Sequence, residues 1–228
     1  MTRFIQRHSF LARFTHDVTI ICCIYLMISG LFVFIPPLAV ALPANVIFVI
    51  RMSHRVIGVV FVVMPLVAAL IAPKGVKRVF RNLFAKWDKD DVAWMKKFVP
   101  YLFAPKKIHM PDQHETKSGQ RFADGMLWLG GFAMAITGVV LLLGTTVIAM
   151  SPTVLLVMRT IHDIFFIVLV VFALAHIYLG AGIFQPYRGT YTLMFGDGKV
   201  SESDALYHWG HWAREELESG EHVVEDKR

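Results

Sequence analysis

The chain has 228 residues, of which 56% are hydrophobic, with a mean hydropathy of +0.55 and a formal charge of +6. It is too apolar for an ordinary soluble domain and fits a polytopic membrane protein. In such a protein a basic excess marks loops retained inside rather than nucleic-acid binding, so its distribution matters more than its sum.

Four spans are expected. Arg3, Arg7 and Arg13 precede an apolar stretch that is too long for a signal-peptide core and lacks a convincing cleavage site, so it reads as a retained anchor helix. This first span covers residues 17–42 and ends at Pro36-Pro37 or shortly after. The second covers 53–72, with Pro65 as a kink. The third covers 122–150, and the fourth covers 160–184, with Pro186 just past it. Residues 1–190 form the membrane domain, including a loop over 73–121, and residues 191–228 form a polar tail with a short helix near 204–218. Cys22 and Cys23 are adjacent in an apolar run, so no long-range disulfide framework is available, and no Cys-x-x-Cys-His occurs for covalent haem.

The loops orient the spans. Residues 36–50 and 151–158 carry no Lys or Arg, with Arg51 and Arg159 following. The 73–121 loop is rich in both, from Lys74, Lys77 and Arg78 to Lys106, Lys107 and Lys117. The positive-inside rule places this loop and both termini on the cytoplasmic side of the membrane. Within the loop, Val76, Val79, Phe80, Leu83, Phe84 and Trp87 fall at helical spacing, and a second such set contains Met95, Phe98, Val99 and Leu102. These amphipathic segments either lie among lipid headgroups or pack on a partner subunit.

Ionisable groups inside spans are costly and point to function. His162 and His176 lie 14 residues apart on the fourth span. That spacing returns to within about 40° of one face and rises about 21 Å. The first span runs outward, so His16 is inner; the second runs inward, so His54 is outer. The fourth also runs inward, making His162 outer and His176 inner. The four residues sort into two height-matched pairs, His16 with His176 and His54 with His162. Two b-type haems follow, each iron held by two neutral imidazoles and suited to electron transfer rather than oxygen chemistry. Gly30, 14 residues after His16, faces the outer haem level, where it either admits a macrocycle or serves helix packing. Arg13, Arg121, Arg159 and Arg188 stand at span ends and either pair with haem propionates or snorkel. The remaining histidines, His8, His109, His114, His208, His211 and His222, lie in polar segments and are expected to be solvated. The reading is therefore an all-α, four-helix integral membrane bundle, N-in and C-in, with two b haems.

The chain resembles a family over most of its length: the cytochrome b, or gamma, subunit of membrane-bound formate dehydrogenases. The resemblance is carried by His16, Ser29-Gly30, His54, Gly119-Gln120 and the His162/His176 pair. The tail adds Gly198 to Ser201 and then His208, Trp209, His211 and Trp212. The four-helix di-haem pattern is shared with cytochrome b subunits of nickel–iron hydrogenases and thiosulfate reductases, while the Gly-Gln element and the tail favour formate dehydrogenase. The resemblance implies a subunit that takes electrons from an iron–sulfur (beta) subunit and reduces a quinone, menaquinone or ubiquinone, in anaerobic respiration. The molybdenum- or tungsten-pterin (alpha) subunit would be a separate chain, so no self-standing dehydrogenase site is expected here; a higher oligomer is left open. It implies a quinone site near Lys117, Gly119, Gln120 and His176. The usual motif is Asn-Ala-Gly-Gln, so Lys117 replaces Asn, and the tail lacks the usual Pro after its histidines. Alternatives are the cytochrome b of a hydrogenase or another molybdoenzyme and, from another class, a non-haem transporter or scaffold whose histidines relay protons.

Overall fold

The computed structural model describes residues 2–182 and 187–226. Phe184 and Pro186, where the fourth span was expected to end, lie outside the described residues. In chain order the elements are β1 (Thr2–Gln6), α1 (Phe10–Phe34), α2 (Pro36–Val40), α3 (Ala44–Ile71), α4 (Pro73–Leu83), α5 (Lys89–Phe103), α6 (Ser118–Thr146) and α7 (Pro152–Gly180). They continue with α8 (Thr192–Phe195), β2 (Lys199–Ser201), α9 (Glu202–His208), α10 (Gly210–Ser219) and β3 (Val223–Asp226).

Four helices, α1, α3, α6 and α7, are long and apolar enough to cross a membrane. At 25 to 29 residues each, they run about 38–44 Å, beyond the roughly 30 Å hydrocarbon core. Large side chains along them, among them Ile21, Phe48, Leu66 and Ile136, face outward. Such surface is stable against lipid, because the helices satisfy their own backbone hydrogen bonds.

Proline sets several boundaries. Ile35 precedes Pro36 and is extended, which stops α1 at Phe34. Pro36 opens α2 and Pro152 opens α7, where a missing N–H costs nothing. The second and fourth spans start earlier than their charge pattern implied, at Ala44 and Pro152. Arg51 and Arg159 are not loop residues but stand inside α3 and α7, where a long stem lets the charge reach polar surroundings.

The chain divides into two compact units. One comprises Phe14–Pro73 and Met126–Ala173 and carries most of the four spans. Phe34 meets Phe166 at 5.8 Å between ring centroids. A Cβ at Gly130 would stand 3.5 Å from Leu169, so α6 and α7 approach closely there.

The other unit comprises Met1–Arg13, Lys74–Gly125 and Leu174–Arg228. This unit adds to the helical architecture a small antiparallel sheet of order β2-β1-β3. Ile5 pairs with Val200 on one side and Val223 on the other. Its fully buried side chain anchors a core of Leu193, Val200, Ala205, Trp209, Trp212 and Ala213. Strands of three to five residues leave little periodic signal, and their partners lie almost the whole chain apart. The single tail helix expected near 204–218 is two helices, broken at Trp209, whose backbone leaves the helical conformation and whose indole is buried in this core.

The loop before α6 is held by charge. Asp88 and Asp91 form a capping box at the start of α5. Asp91 also accepts hydrogen bonds from Ser118 Oγ at 2.7 Å and Arg121 Nη1 at 2.9 Å. The pair is 3% and 1% exposed. Arg121 donates to the Ala85 carbonyl as well. Arg121 is thus a structural cation of this unit.

Candidate haem site

His54 and His162 both belong to the apolar unit. Each sits ten residues into its helix, α3 or α7, about 15 Å along the axis. Each is held in the same way. Ser29 Oγ donates to the Tyr25 carbonyl at 2.8 Å and lies 2.8 Å from His54 Nδ1. Thr137 Oγ1 donates to the Ala133 carbonyl at 2.6 Å and lies 2.8 Å from His162 Nδ1. A hydroxyl has one proton, and here it is directed to the preceding helical turn. The oxygen therefore accepts from Nδ1–H, which leaves the lone pair of each ring on Nε2. A neutral imidazole with Nδ1 fixed by a hydrogen bond and Nε2 basic is the form that ligates a metal.

The residue after each hydroxyl is glycine. A Cβ at Gly30 would stand 3.6 Å from His54 Cε1 and 3.7 Å from Phe166 Cε2. A Cβ at Gly138 would stand 3.5 Å from His162 Cε1. Ser29-Gly30 on α1 and Thr137-Gly138 on α6 are one device used twice: a hydroxyl orients the ring and a glycine keeps the adjoining space open. The donor set and the glycine-lined edges fit a haem between neutral imidazoles. Phe166, one turn after His162, adds an aromatic face.

The other two histidines fall in different units, His16 in the apolar one and His176 in the other. His16 Nδ1 is 3.7 Å from Asp17 Oδ1. His176 Nδ1 is 3.3 Å from Asp124 Oδ1, a carboxylate placed to orient the ring of a ligand histidine. Ser29 was visible in the sequence only as a neighbour of Gly30, and Thr137 and Asp124 were missed. Asp124 carried a signal, since a carboxylate inside an apolar span calls for a partner.

Of the residues expected around a quinone, Lys117, Gly119, Gln120 and His176 share the second unit. Gln120 is half-buried and one helical turn before Asp124, on the side of α6 that reaches His176. Gly119 has a packing role, because a Cβ there would lie 2.4 Å from the Trp94 ring. Lys117 is buried, with Nζ 4.1 Å from the centroid of the Tyr187 ring and 4.7 Å from that of Trp209. Burial, with Arg7 nearby, lowers its pKa well below the ordinary lysine value. His208 Nδ1 is 3.4 Å from Lys117 Nζ. Burial first, then the Lys117 and Arg7 charges, press the His208 pKa down to about 3. Burial also raises that of Tyr187 to about 12. His208 is therefore not a solvated tail histidine but a neutral member of an aromatic and cationic cluster.

Four apolar spans enclosing oriented, neutral imidazoles define a membrane cytochrome of the b type. The chain belongs to the prokaryotic cytochrome b561 family, which matches residues 7–196. A comparison with curated proteins finds no match. It is accordingly a bacterial membrane electron-transfer protein that binds b-type haem.

Proposed function

We propose that this chain is the membrane subunit of a formate dehydrogenase complex, passing electrons from an iron–sulfur partner to a quinone. The observation that carries the electron-transfer role is the paired anchoring of His54 and His162 by Ser29 and Thr137. Two hydroxyl-fixed imidazoles suit a six-coordinate iron, and the haem supplies a one-electron carrier when bound. His54 and His162 would hold one haem; His16 and His176 are the ligands the sequence offers for a second.

The chain's own residues set the rest. Ser29 and Thr137 hold each ring in one tautomer, and Asp124 does the same at His176. Gly30 and Gly138 keep the ring edges uncovered. Gln120 and His176 supply a polar edge for a quinone. Lys117, beside Tyr187, Trp209 and His208, is the residue we assign to proton handling for the quinone. The pairing of residues 2–6 with both tail strands supports termini on one side of the membrane. The basic 73–121 loop supports that side being the cytoplasm.

Formate as the electron source is supported by the Gly119-Gln120 element and the tail. A hydrogenase partner is the second reading, because the family match accommodates it equally. The complex purified with its native partners separates them. Formate, and not hydrogen, should reduce its b haem and drive quinone reduction. Reduction by hydrogen alone would transfer the assignment to a hydrogenase.

A further inference from the structure

His114 and His211 lie 97 residues apart in sequence, yet their rings stack at 4.9 Å between centroids and 22° between planes. The stack is set by the backbone, since His211 N–H donates to the Gln113 carbonyl at 3.1 Å. Gly210 makes this approach feasible: a Cβ there would meet Asp112 at 2.6 Å. His114 Nε2 is 2.8 Å from Asp88 Oδ2. Asp88 caps α5 with its other oxygen, Oδ1, at 2.8 Å from the Asp91 N–H, so the cap and the imidazole use different atoms. His211 Nε2 is 2.8 Å from Asp90 Oδ2. Arg214, 3.4 Å from His211 Nδ1, is paired at 2.5 Å with Asp112.

One ligand atom from each of Asp88, His114 and His211 lies within 4.8 Å of the others. Ligands around a tetrahedral ion with bonds of about 2.0–2.1 Å lie roughly 3.4 Å apart, so small side-chain shifts close the set. Two carboxylates, Asp88 and Asp90, beside two imidazoles match the charge of a divalent ion. Imidazole and carboxylate donors without sulfur suit zinc or a similar borderline cation. The ligands come from the start of α5, the loop before α6 and the start of α10, and Asp88 is exposed enough for entry from solvent.

We propose that Asp88, His114 and His211 form a binding site for one divalent transition-metal ion of the zinc class, with the Asp90 carboxylate beside it, 2.8 Å from His211 Nε2. The ion would tie the tail to the loop that carries Lys117 and leads into α6, a role separate from the haem residues.

The test uses the full-length, haem-loaded protein in detergent, stripped with a chelator and equilibrated with micromolar zinc chloride. Zinc and iron per chain are then measured by mass spectrometry. The expected result is one zinc per chain, with affinity falling more than tenfold in His114→Gln and His211→Gln. It should be unchanged in His222→Gln, whose imidazole serves Glu216 at 2.7 Å. Equal zinc in wild type and both ligand variants, or none in wild type, means hydrogen-bonded His–Asp pairs only and overturns the proposal. If the variants lose haem or aggregate, zinc-edge absorption on the wild type decides. Two imidazoles with oxygen support the site, and sulfur ligands or fewer than two imidazoles refute it.

Discussion

The two units use their polar groups differently. In the apolar unit the hydroxyls of Ser29 and Thr137 go to imidazoles. In the other unit the polar groups go to one another: Asp91 to Arg121 and Ser118, Arg78 to Glu115, Arg3 to Glu202. A hydrogen bond in a span is better explained by a ligand, and one at the polar end by folding. Loss of Ser29 or Thr137 should therefore remove cofactor, and loss of Asp91 should cost stability.

The largest stability effect should come from Asp91→Ala. Removing one partner of a buried ion pair leaves Arg121 uncompensated and should cost about 3–5 kcal/mol. Thermal unfolding followed by tail proteolysis measures this, and the variant should still load haem at low temperature. Gly119→Ala is next, since the Trp94 ring at 2.4 Å must move; overpacking of this kind costs about 1–3 kcal/mol.

In the apolar unit, Ser29→Ala and Thr137→Ala should leave insertion intact while weakening haem retention about 10–100-fold. Haem transfer to an acceptor protein gives the rate. Gly30→Ala and Gly138→Ala face only ordinary contacts with the histidines, at 3.5–3.6 Å. They should fold as well as wild type and lose haem, whereas Gly119→Ala should lose stability. Reversed behaviour of the two glycine classes would erase the contrast between the units.

A further effect concerns acidity. The folded pKa of His208, about 3, lies below the ordinary 6.5. Between those values the unfolded chain binds a proton that the native state refuses. Stability is therefore fully present above about pH 6.5 and falls as pH drops towards about 3. His208→Phe should flatten that part of the profile in a pH series of melting temperatures.

The spans and their histidines were legible because an apolar run and an intramembrane imidazole each carry a local signal. The sheet was not legible, since Ile5, Val200 and Val223 meet only after the whole chain has folded. His208 and His211 looked alike in a polar tail, but the break at Trp209 directs one to Lys117 and the other to Asp90. Ser29 and Thr137 were hidden for another reason. A hydroxyl in an apolar helix usually bonds its own preceding turn, and these two do that as well. Their second role is visible only once the facing helix is present.

The account rests on His54 and His162 holding the same haem. A pyridine haemochrome assay on purified wild type, His54→Ala, His162→Ala and the double variant tests it most directly. Two b haems per chain in wild type, one in each single variant and one in the double variant is the predicted pattern, because both residues serve a single iron. Two haems retained in either single variant, or a further loss in the double variant, would contradict it.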